Sequence, residues 1–220
     1  MRLAPEGWPF VLAGLALAGG GWAWVAFSGA RVATAAAVAL TALTFFTLWF
    51  FRDPVRELPA DTALVVAPGQ GRVIEIVEID EPTYLSARAR RISIFLSVFD
   101  VHVQRAPVTG AVEHREYVPG KYLAAWNEKA SEDNERASLG IATPHGRVLV
   151  KQIAGLIARR IVTDHAVGDS VRRGDRIGLI RFGSRVDLFV PLDWDVTCEV
   201  GDRVRVGVTP LARMPAEVPA

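Results

Sequence analysis

Residues 181–191 read RFGSRVDLFVP. From Val186 onward the run is short and mostly apolar, rich in β-branched and aromatic residues, which is the composition of a strand buried in a sheet. Gly183 and Ser184 interrupt it at its head with a residue that lacks Cβ and a small hydroxyl. A glycine weakens a strand interior and marks a bulge, a sharp bend or a close backbone approach. The segment therefore predicts a buried strand with a break built in where it starts. Asp187 alternates with apolar neighbours and reads as the solvent face of that strand.

Working outward, the stretches ALVVAP (63–68), GRVIEIVEI (71–79), RISIFLSVF (91–99), GAVEHREYV (110–118), GRVLVKQIAG (146–155), RRIVTDH (159–165), DRIGLIRF (175–182) and RVRVGVTPL (203–211) share the same texture. Turns such as PGQG (68–71), VGDSVRRGD (167–175) and EVGD (199–202) separate them. Such spacing predicts a mainly β domain over residues 63–220. The segment GKYLAAWNEKASEDNERAS (120–138) breaks the pattern. It reads as a polar surface loop with a helical turn around Tyr122, Leu123 and Trp126, placed either to rest on headgroups or to border a site.

The N-terminal quarter differs. Residues 7–27 and 32–51 carry no charge, and they account for most of the positive mean hydropathy. Each run is long enough as a helix to cross a hydrocarbon core of roughly 30 Å. A secretory signal has a shorter apolar stretch and no second span behind it. Residues 1–51 are thus expected to form a two-helix transmembrane hairpin, with Trp8, Trp22, Trp24 and Trp49 toward the span ends and Gly14, Ala18, Gly19 and Gly20 letting the helices approach. Pro54 and Pro59 place a linker at 52–62. Arg2 lies before the first span and Arg52 and Arg56 follow the second, against Arg31 alone between them, so the basic residues orient both ends toward the cytoplasm.

Several classes of chemistry are unsupported. A net charge of +1 argues against a basic nucleic-acid-binding surface. One cysteine, Cys198, cannot close an intramolecular disulfide, and His102, His114, His145 and His165 have no metal-ligand spacing, so no metal is expected. Ser184 is outside a GxSxG elbow, and the PGQG glycines read as turn formers. The turn-and-strand pattern VGDSVRRGDRIGLI (167–180) resembles the barrel-sandwich hybrid domains of lipoyl and biotinyl carriers. A carrier displays a lysine at its hairpin tip, where this chain has Arg172 and Arg173.

In order behind FFRDP, the blocks FLSVFDVHVQRAPVTG (95–110), KASEDNERAS (129–138), QIAGLIARRIV (152–162) and GDRIGLIRFGSRVDLFVP (174–191) resemble the phosphatidylserine decarboxylase proenzymes of the short, type A bacterial and archaeal form. The resemblance covers nearly the whole chain, and FGSRVD is its most specific motif. It implies a compact catalytic domain of barrel-sandwich-hybrid type and self-cleavage between Gly183 and Ser184. The products are a β chain of residues 1–183 and an α chain of residues 184–220 that stay associated. By this implication the Ser184 hydroxyl attacks the Gly183 carbonyl, and the amide becomes an ester. Elimination then leaves dehydroalanine, which hydrolyses to a covalent pyruvoyl group. That group is the only cofactor implied. Its ketone forms a Schiff base with phosphatidylserine in the membrane, accepts the electrons released with CO2, and yields phosphatidylethanolamine. Localisation at the inner membrane with the domain facing the cytoplasm follows; whether the protein is a homo-oligomer stays open.

His102, in DVHVQRAP, occupies the family's active-site histidine position, and an imidazole both gives and accepts protons near neutral pH. Arg105, where some long-form relatives have a second histidine, is a candidate to bind a phosphate or carboxylate, with a plain surface arginine as the other reading. Gln70 stands where many relatives carry the aspartate of a P-x-D-G turn that is implicated in activating the serine. An amide orients a group but is no base. Slower processing assisted by His102 or Asp100 is one consequence. The alternative is an unprocessed homologue that serves as a lipid-binding or scaffold protein.

Overall fold

The computed structural model describes residues 2–120, 134–155, 160–181 and 184–215. It divides into Met1–Val55 and Arg56–Ala220. In the first unit β1 (Arg2–Leu3) pairs with β2 (Arg52–Asp53), so the beginning of the expected linker belongs with the helices. Between them run α1 (Trp8–Ser28) and α2 (Arg31–Phe50), both long and apolar enough to cross a membrane and with most of their residues unburied by protein. Gly29, at φ 57°, supplies the left-handed residue that ends α1. The helices meet through small residues. A Cβ on Gly14 would lie 2.7 Å from Thr44 Oγ1, and one on Gly21 would lie 3.2 Å from the Ala37 backbone. Gly19 and Gly20, expected at this contact, face open space instead, because the seam follows the helical period through 14, 18 and 21.

The second unit is mainly β. Its strands are β3 (Leu64–Val66), β4 (Gly71–Glu81), β5 (Ala87–Leu96), β6 (Val103–Arg105), β7 (Gly110–Val118), β8 (Arg136–Thr143), β9 (Gly146–Ala154), β10 (Ile161–Thr163), β11 (Ser170–Val171), β12 (Arg176–Ile180), β13 (Ser184–Pro191), β14 (Asp195–Val196), β15 (Arg203–Val204) and β16 (Pro210–Arg213). Eight of them form a curled half-barrel in the order β11-β7-β8-β9-β13-β5-β4-β15. Two three-stranded sheets, β10-β12-β6 and β14-β16-β3, complete the unit. The strand β8 was absent from the sequence reading. Its alanines and glycine in RASLGIAT dilute the β-branched signal, although five consecutive residues of it are buried.

Among the described residues β13 runs from Ser184, and the expected break at Gly183 lies outside them. Strand β13 is central, flanked by β5 and β9. Val186, Leu188 and Val190 point into the main core with Ile92, Ile94, Leu96 and Val150, where each large buried side chain contributes about 1.5–3 kcal/mol. Phe189 packs on the opposite face with Ala89 and Leu149. With both faces covered, the near-continuous apolar run is explained. The solvent-face reading of Asp187 is overturned for the same reason: its side chain is 0% exposed.

Candidate active site

A row of paired residues crosses the sheet at the head of β13. Ser184 is opposite Leu96 on one side and Ala154 on the other. Beyond Leu96 lies Gly71, where a Cβ would sit 1.9 Å from the Phe95 carbonyl oxygen. Only glycine fits there, and this brings the PGQG turn to the row that holds Ser184. On the other side, Asn134 Nδ2 donates to the Ala154 carbonyl at 2.7 Å and the Ala154 N–H donates to Glu135 at 2.9 Å. Ser184 is fully buried, and its Oγ has no hydrogen-bond partner among the described residues. Buried hydroxyls are seldom left so.

The chain leaves this row at a corner. Strands β5 and β13 pair in the large sheet, whereas the segments that continue from them, β6 and β12, pair in a smaller one. The pairings on either side of the corner match: Leu96 pairs with Ser184 in the large sheet, and Val103 pairs with Leu179 in the smaller one. His102 lies in that corner, its carbonyl accepting from the Ile180 N–H at 3.4 Å. Topology thus brings His102 against Ile180, four residues before Ser184 in the chain.

The turn into the corner is braced by Asp100. Its Oδ2 accepts from the Ser97 N–H at 2.9 Å and from the Ser97 hydroxyl at 2.7 Å, and its Oδ1 faces Arg203 at 3.3 Å. The carboxylate is therefore committed to shaping the turn. Its backbone oxygen lies 3.0 Å from His102 Nδ1. A carbonyl only accepts, so Nδ1 carries the proton and Nε2 is the basic nitrogen of the neutral ring. His102 is 0% exposed.

The other two sequence candidates lie around the PGQG turn. Gln70 Oε1 accepts from Arg56 at 2.6 Å, while a second Arg56 nitrogen donates to the Val206 carbonyl at 3.2 Å. Arg105 donates its backbone N–H to the Pro68 carbonyl at 3.0 Å and its guanidinium to the Gly174 carbonyl at 2.9 Å. It ties two turns together at the base of the PGQG loop. Gly183 and the loop residues Tyr122, Leu123 and Trp126 lie outside the described residues.

Sequence reasoning missed two polar groups beside the row. Gln152 on β9 donates to Gln104 Oε1 on β6 at 2.9 Å and accepts from Thr163 at 3.1 Å. On the other face of β13, buried Arg185 pairs with buried Asp187. Each is a polar residue at an inward strand position, and that was the available signal.

A model of the family described as phosphatidylserine decarboxylase matches residues 43–212, which include the whole row and the corner. The chain belongs to that family. It is accordingly a decarboxylase by family. It is 51% identical over 214 residues to a phosphatidylserine decarboxylase proenzyme of Symbiobacterium thermophilum, covering 97% of this chain and 96% of that one. A Salinibacter ruber proenzyme of the same name is 54% identical over 77% of this chain and 76% of its own length. One from Nitrosomonas europaea is 42% identical over 96% and 94%. The Symbiobacterium and Nitrosomonas relatives align over the helical unit as well as the decarboxylase domain.

Proposed function

We propose that the chain is a membrane-anchored proenzyme that cuts itself between Gly183 and Ser184 and then converts phosphatidylserine to phosphatidylethanolamine and CO2. The observation that carries this reading is the buried Ser184 hydroxyl, which has no hydrogen-bond partner among the described residues and lies on a central strand that runs from the corner of His102. Its residues suit a prosthetic group made from that serine. Position 184, flanked by Leu96 and Ala154, is fully buried, so that a ketone there is sheltered. The pyruvoyl group would supply an amine-reactive carbonyl and an acceptor for the electron pair left by the departing carboxylate, without an external cofactor.

The chain's own residues have defined tasks. In maturation the Ser184 hydroxyl attacks the neighbouring carbonyl, and the upstream chain leaves with a carboxylate at Gly183. His102 Nε2 accepts the hydroxyl proton in that step and returns a proton to the substrate carbon after CO2 has left. The Asp100 carbonyl holds the ring in the tautomer that allows both. Helices α1 and α2 anchor the protein in the bilayer that contains its substrate, which raises the effective headgroup concentration. By the distribution of Arg2, Arg31, Arg52 and Arg56 the catalytic unit faces the cytoplasm.

The test is conversion of phosphatidylserine in proteoliposomes, read by lipid mass spectrometry. Wild type should form phosphatidylethanolamine, and Ser184→Ala should not. A Ser184→Ala protein that still decarboxylates would end the reading.

A further inference from the structure

Cleavage on the N-terminal side of Ser184 would turn the middle of a chain into a chain end. Ends fray unless something ties them down. Here the end would also carry the reactive group, and the link to Arg181 would be gone.

The second residue of the new chain is unusually well held. Arg185 is 2% exposed, and its Nε donates to Asp187 Oδ1 at 2.6 Å. One terminal nitrogen donates to Ser93 Oγ on β5 at 2.7 Å and to Glu75 Oε2 on β4 at 3.2 Å. Glu75 also accepts from Arg91 at 2.7 Å. Two side chains downstream of the cut are thus joined to three upstream of it, across three neighbouring strands.

A buried ion pair is weak evidence of added stability, because desolvation offsets the attraction; its best attested use is to fix register. Register matters at this strand. A slip by one residue would turn Ser184 to the opposite face and place Arg185 among Ile92, Ile94 and Leu96. An unpaired guanidinium is not tolerated there.

We propose that Arg185, paired with Asp187 and bound across the sheet to Ser93 and Glu75, is the anchor that holds residue 184 opposite Leu96 and Ala154 after the chain is cut. It is a positioning residue. This rests on the cleavage reading above.

The test uses full-length protein in nanodiscs, with intact mass and hydrogen–deuterium exchange of residues 184–190 as readouts. Wild type, Arg185→Met, Arg185→Lys and Ser93→Ala are compared, each also in a Ser184→Ala background that stays uncut. Cleaved Arg185→Met should exchange at least about 10-fold faster than cleaved wild type, whereas its uncut counterpart should differ from uncut Ser184→Ala by much less. Arg185→Lys should restore part of the protection. Ser93→Ala, which removes one hydrogen bond and no charge, should show a smaller increase of the same kind and covers the case in which Arg185→Met fails to fold. Equal exchange in cleaved wild type, Arg185→Met and Ser93→Ala would overturn the anchor. An increase of the same size in cut and uncut protein would also overturn it, since it would mark a general structural role. A wild type that never cleaves would instead remove the premise, and intact mass shows this separately.

Discussion

The guanidinium of Arg56 donates to the side-chain oxygen of Gln70 at 2.6 Å, one residue before the Gly71 that packs against Leu96 in the row that holds Ser184. Where the family resemblance implies a carboxylate, this chain presents an amide whose oxygen is already engaged. Gln70 can fix the PGQG turn, and it cannot take a proton. Gln70→Ala should therefore slow self-cleavage by less than about 10-fold, the effect of a lost hydrogen bond to a charged group at the low end of its range. Gln70→Glu, which gives Arg56 a charged partner and restores a carboxylate, should cleave at least as fast as wild type. The ratio of cut to uncut chain against time after synthesis measures both. Complete loss of cleavage in Gln70→Ala would make Gln70 a direct participant.

On the proposed mechanism, His102 carries the proton transfers. His102→Asn keeps a polar group of similar size and removes the base. Turnover per cleaved molecule should fall by about 10²–10⁴. Counting only cleaved molecules separates decarboxylation from maturation, and unchanged turnover would take His102 out of the mechanism.

Much of the fold was legible in the sequence, for identifiable reasons. The hairpin is written in two uncharged runs, and most strands in β-branched runs between glycine turns. His102 and Ser184 stood out because a histidine and a Gly-Ser pair interrupt such runs within recognisable blocks. What no run discloses is contact across distant strands. Asp187 looked exposed because alternation was read as one buried face and one wet face, whereas Phe189 and Leu149 cover the second face as well. Gln104 and Gln152 pair across two sheets, and RVRVGVTPL, read as one strand, is split between β15 and β16 by the turn that contains Gly207 at φ 72°.

Acid should unfold the β unit partly through Glu81, whose carboxyl is 1% exposed. Burial pushes its pKa up, but the Thr83 hydroxyl, the Lys151 ammonium at 2.9 Å and the Tyr84 and Leu85 N–H groups outweigh this and lower it from 4.5 to about 2. A depressed carboxylate stabilises the fold above its unfolded pKa and loses that contribution as pH falls through the folded value. The contribution is about 3 kcal/mol, present above pH 4.5 and lost toward pH 2. Urea unfolding followed by circular dichroism should show this loss in wild type and a flatter profile in Glu81→Gln. An identical pH dependence in the two proteins would contradict the assignment.

Cys198 should be chemically quiet. It is 8% exposed, and burial together with Asp202 pushes its thiol up to about 11. Because the thiolate is the reacting form, iodoacetamide at pH 8 should leave the native protein essentially unmodified and label it after denaturation. Rapid labelling of the native form would show that the strand edge around Leu211 opens.

The most direct test of the account is intact mass spectrometry of the purified wild-type protein beside Ser184→Ala. The account predicts two wild-type chains divided between Gly183 and Ser184, with a pyruvoyl mass in place of serine at the head of the downstream chain, and a single uncut chain for Ser184→Ala. A single full-length mass for wild type, persisting on incubation with membranes containing phosphatidylserine, would contradict it. It would leave a decarboxylase fold without its catalyst.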